Sequence, residues 1–272
     1  PQGTYASYVD TIGRYTDARI MEEGAGDFTI SGSVLISYNG TDAEVEIPAG
    51  ITEIGSSAFM KNTSLEKVIF CDGITKIGNN AFEGCFNLKE IINTEDLESI
   101  GDYGFSGCKV LSGDILRSPN LHTIGSHAFE SCRALGGETG ELKLSESLSS
   151  IGAWGFRYCR EVTSVIIPKG ITEIEPSTFS ECCELESVKF PESLESIGYK
   201  AFENTGIKNL ELPEGLKDIG EYAFSCCENL TGSIRIPDTV ESLHNCVFFS
   251  YSRKIEELIL GTGIKIIREH SL

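Results

Sequence analysis

Ten cysteines are the residues of this chain with the most chemistry in them. At C-x-x-C spacing they would hold zinc or exchange disulfides, but no such spacing occurs. Six of them, Cys85, Cys108, Cys132, Cys159, Cys182 and Cys227, instead share one position of a repeat, while Cys71, Cys183, Cys226 and Cys246 lie off it. Thiols at one inward position read as small buried hydrophobes. Neighbouring coils bring their Cα atoms within bridging range, yet side chains emerging in parallel have poor geometry for a disulfide. The four histidines (His122, His127, His244, His270) form no H-E-x-x-H ligand pair and read as solvated surface residues. No G-x-S-x-G supplies an activated serine, and Gly24-Ala25-Gly26 lacks the third glycine and the lysine of a phosphate loop. With 41 acidic residues, close carboxylate pairs arise by chance and mark no acid–base dyad. No calcium loop is present. The sequons at Asn39, Asn62 and Asn229 matter only in a eukaryotic secretory pathway. The expectation is a chain that is not an enzyme, with no metal and no cofactor.

Charge narrows the partners. Against 41 acidic residues stand 22 basic ones, a net charge of -19. Such a chain repels phosphate, so nucleic acid and anionic membrane surfaces are not expected partners. No apolar run approaches the roughly 18 residues of a membrane span. The sequence opens on Pro1 rather than Met, so any leader is expected to have been removed or to lie upstream of it.

The elements that must position these side chains are repeats. Ile51-x-x-Ile54-Gly55-x-x-Ala58-Phe59 returns as Ile74-x-x-Ile77-Gly78-x-x-Ala81-Phe82-x-x-Cys85-x-x-Leu88-x-x-Ile91. Further copies start at Leu97, Leu121, Leu148, Ile171, Leu194, Leu216, Val240 and Ile264. Glycine-rich insertions (Ser112-Gly113, Gly136-Gly137, Thr231-Gly232) lengthen three of them and read as loops at one edge of a stack. A half repeat precedes Ile51, since Val45-x-Ile47-Pro48-x-Gly50 matches Val165-x-Ile167-Pro168-x-Gly170. Residues 34–272 are therefore a solenoid of about ten repeats, the last one incomplete. Residues 1–33 lack the repeat and read as an N-terminal cap or linker.

No single repeat can bury its own apolar face, so the copies must stack and each position becomes a column. Nine of the fourteen phenylalanines form one column, from Phe59 to Phe248. Small residues precede most of them, which suits a tight helical turn. A glycine column (Gly55, Gly78, Gly101, Gly125, Gly152, Gly198, Gly220) marks a place that needs positive φ or has no room for a Cβ. Glu175 and His244 interrupt it. The alternation in Val165-Ile166-Ile167, stopped by Pro168, predicts one short strand per repeat, pairing in parallel about 4.8 Å from the next.

The pattern of residues 163–182, with Val165, Ile167, Pro168, Gly170, Ile171, Ile174, Phe179 and Cys182, resembles the BspA-like leucine-rich repeat family. The resemblance implies a curved, right-handed α/β-type solenoid with a parallel sheet and short helical or irregular turns. It also implies a secreted or cell-surface microbial protein; some members of that family bind extracellular-matrix proteins or other cells. The Asn that follows the strand in receptor-type leucine-rich repeats is missing, and Pro and Gly stand there instead.

A solenoid's sheet is its usual contact surface. Between core positions, one outward column reads Ile69, Ile92, Leu116, Lys143, Ile166, Lys189, Glu211, Arg235 and Ile259. Three apolar residues in succession (Ile69, Ile92, Leu116) at sites expected to face water suggest an interaction patch. β-propensity or packing against the N-terminal segment would account for them equally well. Arg117 then falls at a core position, which leaves the register of that repeat open. The expected ligand is a protein or glycan on the sheet face, held by Ile69, Ile92, Leu116, Lys143, Ile166, Lys189 and Arg235. A structural spacer presenting another domain is the alternative.

Overall fold

A computed structural model describes residues 26–112, 115–248 and 254–268, together with the backbone of 8–9 and 15–16. Residues 28 to 268 form a parallel β-solenoid of about ten coils. Nearly every repeat contributes two short strands where the sequence predicted one. The expected strand is there, for example Ser164–Ile166 beside Ser187–Lys189. A second, two-residue strand ends on the isoleucine before the glycine column: Glu53–Ile54, Lys76–Ile77, Ser99–Ile100, Thr123–Ile124 and Ser150–Ile151 pair in succession. Two residues are too short a run to show period-two alternation, which is why this sheet left no signal in the pattern.

The third side of each coil is an irregular turn, one of the two forms expected, and not a helical one. Among the described residues the only helices are two 3₁₀ segments, Ile115–Arg117 and Gly137–Thr139. Around each Phe, alternate N–H groups bond within the turn and to the next coil. Ser57, Phe59 and Lys61 donate to the carbonyls of Asn79, Ala81 and Glu83, at 2.9, 2.7 and 2.7 Å. Ala58, Met60 and Asn62 bond back to Gly55, Ser57 and Phe59. Sending N–H groups alternately along and across the axis places Ser57 and Lys61 at φ 60° and 59°. The same two positions are left-handed in repeat after repeat (Asn80, Tyr103, His127, Trp154; Ser131, Tyr158, Glu181, Asn204). Each non-glycine residue there costs about 1–2 kcal/mol, offset by the ladder it completes.

The glycine column has the other cause. None of its members has positive φ; each lies against the preceding coil's backbone. A Cβ on Gly78 would stand 2.7 Å from the Ser56 nitrogen, and one on Gly152 would stand 2.5 Å from the Ser126 nitrogen.

The core follows the columns. Rings from Phe59 to Phe248 stack face to face with centroids 4.9–5.8 Å apart. Tyr38 and Phe28 extend the stack toward the N-terminus. They belong to an antiparallel hairpin, Phe28–Ser31 with Val34–Tyr38, whose second strand pairs in parallel with Glu53–Ile54. The hairpin thus occupies the first edge of the second sheet.

Candidate surface for binding

The outward column of the first strands is real but not continuous. Ile69 pairs with Ile92, Ile166 with Lys189, and Arg235 with Ile259, as the repeat predicts. Ile166, Lys189 and Arg235 are exposed, and so is Lys143. Ile69 and Ile92 are half-buried. Leu116 does not belong with them: it is only 2% exposed and sits in the core.

The cause is local. In that repeat the strand is replaced by the 3₁₀ turn Ile115–Arg117, which follows the Ser112-Gly113 insertion. Extended pairing would have put the Arg117 guanidinium into the core, where an ion without a partner is several kcal/mol unfavourable. The tighter turn sends Ile115 and Leu116 inward together and leaves Arg117 exposed. The three-strand sheet that ends at Glu90–Ile92 therefore stops, and the next one begins at Glu141–Leu142.

A cavity of about 270 Å³ opens at this interruption. Leu116, Leu135 and Leu142 form its apolar lining, with Arg117, Glu138 and Lys143 among its polar groups. Its second wall comes from the Gly136-Gly137 insertion, which folds as the 3₁₀ turn Gly137–Thr139 and ends on Gly140 at φ 71°. Two insertions one coil apart thus make a recess in an otherwise regular face.

Charge on the strand face is arranged across coils. Lys67 lies 3.7 Å from Glu44 and 3.6 Å from Glu90, on the coils before and after it. Lys89–Glu66 (2.6 Å), Lys208–Glu186 (2.5 Å) and Lys217–Glu195 (2.8 Å) repeat the device. These exposed pairs contribute about 0–1 kcal/mol each. Their effect is to space like charges apart in a stack that would otherwise align carboxylates.

The cysteine column is buried, as its position predicts, but it is more than apolar filling. Each thiol donates to the carbonyl of the Phe one coil earlier: Cys85 to Phe59, Cys108 to Phe82, Cys132 to Phe105, Cys159 to Phe129, Cys182 to Phe156 and Cys227 to Phe202, at 3.0–3.3 Å. Asn62 at the same position donates to Gly40, while Thr205 bonds Phe202 of its own coil. The column is occupied by small hydrogen-bond donors. Burial pushes the Cys85 and Cys182 thiols up to about 12 and Cys227 to about 11, so none is a nucleophile near neutral pH. The six cysteines of the column are in no disulfide.

Sequence reasoning passed over one feature of the turn side. Tyr103, His127 and Trp154, on consecutive coils at a left-handed position, stack at 4.4 and 4.7 Å. His127 is half-buried between two rings with Nδ1 2.7 Å from a Glu130 carboxylate oxygen, not solvated as expected. The signal was the G-x-x-A-F spacing, which puts all three in one column.

The comparisons with known proteins agree with this architecture. A model of the BspA type leucine rich repeat region matches residues 37–159 and 149–272, in six copies. The fold is similar to that of the T. pallidum leucine-rich repeat protein TpLRR, at TM-score 0.59 and 24% identity over 75% of this chain and 86% of that one. It is similar also to a leucine-rich cell surface protein of Faecalibacterium prausnitzii, at TM-score 0.59 and 20% identity over 97% of this chain and 73% of that one. A leucine-rich repeat protein of Bacteroides ovatus aligns at TM-score 0.56 and 21% identity over 88% of each chain. A search of curated proteins finds no match. Because the family pattern runs from residue 37 to residue 272, the chain belongs to the BspA-type leucine-rich repeat family.

Proposed function

We propose that this protein is a non-catalytic binding module of a cell surface or extracellular setting, engaging a protein or glycan partner through the face of its first strands. The observation that carries the reading is Ile166. It is 53% exposed at the end of a paired strand, with Lys189 in register on the next coil. Lys143, directly after the paired Leu142, flanks it on the coil before. An apolar side chain held open between two cations, on a rigid sheet, is the arrangement of an interface centre with a polar rim. The recess beside Lys143 gives this face the relief that a flat sheet lacks. Ile69, Ile92 and Arg235 extend the same column toward the two ends. Titratable groups on this face pair with neighbours on the same or the adjacent coil instead of converging on a cleft, which supports binding over catalysis. The cell surface protein of Faecalibacterium prausnitzii, with the same fold, supports the setting.

The test is capture of the purified chain on a panel of immobilised extracellular-matrix proteins and glycans, repeated with Ile166→Asp and with Lys143→Glu/Lys189→Glu. A tenfold or greater loss of capture, with thermal unfolding unchanged, is expected. Unaltered capture would remove this face from consideration. No capture by any panel member favours a spacer that presents another domain.

A further inference from the structure

A second surface stands out once cations are sorted by partner. Six of the thirteen lysines in this acidic molecule face a carboxylate one coil away: Lys67, Lys76, Lys89, Lys208, Lys217 and Lys265. Lys109, Arg133 and Arg160 make no ion pair among the described residues. All three are exposed. They occupy one column, the residue directly after the buried cysteine, on three consecutive coils. The backbone confirms the stacking: Ala134 N–H donates to the Lys109 carbonyl at 3.3 Å and Glu161 N–H to the Arg133 carbonyl at 3.1 Å. Other cations lacking a carboxylate do not cluster so. Lys61 and Lys169 are alone in their columns, and Ile166 separates Lys189 from the next cation.

Aromatic rings bracket the three. Phe86 fills the same column one coil earlier and is 43% exposed, with the Lys109 ammonium 4.6 Å from its ring centre. At the other end, the Arg160 and Arg157 guanidinium groups lie 5.5 and 4.6 Å from the Tyr158 ring. Cation–π contacts of this kind hold the charged ends over the rings without neutralising them. Of the nearby carboxylates, Glu130 is committed to His127 and Arg157. Glu161, next to Arg160, is exposed and forms no ion pair with it.

We propose that this corner, Phe86–Lys109–Arg133–Arg160 with Tyr158, is a binding ridge for a sulfated glycan chain. Three cations spaced about 4.8 Å apart offer a rigid row of charge to a polyanion. Arginine presents a planar fork that matches the oxygens of a sulfate. The rings at both ends give apolar faces for the C–H surface of a sugar, which a polyphosphate could not use. The surrounding negative charge opposes any long polyanion, so binding is confined to the few residues that cover the ridge. The ridge is built from the column that follows the cysteines, not from the outward strand column, and does not rest on the reading given for the strand face.

The experiment is titration of the whole chain with a heparin hexasaccharide by calorimetry or fluorescence polarisation at 50 and 150 mM NaCl. Binding that weakens on the order of tenfold between these salts fits about three neutralised anions. Lys109→Ala/Arg133→Ala/Arg160→Ala should lose at least tenfold in affinity. Arg133→Lys/Arg160→Lys, which keeps the charge without the fork, should fall between it and the natural chain. Phe86→Ala should weaken binding with its salt dependence intact. Lys217→Ala, which lies outside the ridge, should change nothing. The proposal is overturned if heparin does not bind at 50 mM NaCl, if the triple variant binds as the natural chain does, or if single-stranded DNA of equal charge binds as tightly as the hexasaccharide.

Discussion

Phe156→Ala tests the whole architecture. The side chain is fully buried, and its ring stacks on Phe129 and Phe179 at 5.5 Å on each side. Truncation removes apolar contact with two neighbouring coils at once, and a rigid backbone tied by three ladders cannot collapse into the space. The expected loss is about 3–5 kcal/mol. Because each coil touches only its neighbours, the damage should also uncouple the two halves of the stack. Urea unfolding followed by circular dichroism should therefore show an earlier midpoint and a lower m-value, as one transition becomes two. Phe248→Ala is the comparison. Phe248 has one ring partner among the described residues, Phe224 at 5.8 Å, so its loss should be about half as large and leave the rest of the transition in place. A loss under about 1 kcal/mol for Phe156→Ala, or an equal loss at Phe248, would refute the nearest-neighbour account of the core.

The cysteine ladder and the glycine column give two further tests. In the native chain a thiol-specific disulfide reagent at pH 8 should modify the exposed Cys183 at once, and the six ladder thiols only at the rate of unfolding; immediate loss of all six would contradict their burial. The sign of the pH effect follows from the raised thiol pKa values. Folded protein keeps its protons where the unfolded chain, with thiols near 9, has lost them, so the stabilisation is intact below pH 9 and declines as pH rises toward about 12. Cys182→Ala should flatten that decline, read as urea midpoints from pH 8 to 11. Gly152→Ala should destabilise by about 1–3 kcal/mol in thermal melts, since its Cβ would press on the Ser126 backbone; Gly232→Ala, with open space around a φ of 74°, should cost only the backbone strain.

Much of this was legible from spacing alone. Columns of Phe, Cys and Ile are one-dimensional patterns, and stacking converts them directly into a core. What spacing could not show was backbone conformation carried by residues with no preference for it. Ser57, Tyr103, His127 and Trp154 are left-handed because the ladder to the next coil demands it, whereas the glycine column, which spacing left open between positive φ and close approach, is there for close approach. The same blindness misplaced Leu116. An apolar residue satisfies either face of a strand, and only the choice between burying Leu116 and burying the Arg117 charge decides the local turn. The strand-face column was readable as a column; its interruption, and the recess that the interruption opens, depend on the local turns Ile115–Arg117 and Gly137–Thr139.

The ladder of free thiols also bears on the proposed setting. A surface protein meets oxidants, and a column of six thiols looks unsuited to that. Oxidation, however, begins from the thiolate, and here burial keeps the ladder protonated far above neutral pH. Six of the ten are thereby inert while folded, and a disulfide between two of them would sacrifice two interactions with the coil before. The vulnerable state is the unfolded chain, where every thiol titrates normally. Stability of the stack and resistance to oxidation are then one property: a substitution such as Phe156→Ala, far from any cysteine in sequence terms except Cys159, exposes the ladder by loosening the coils that bury it.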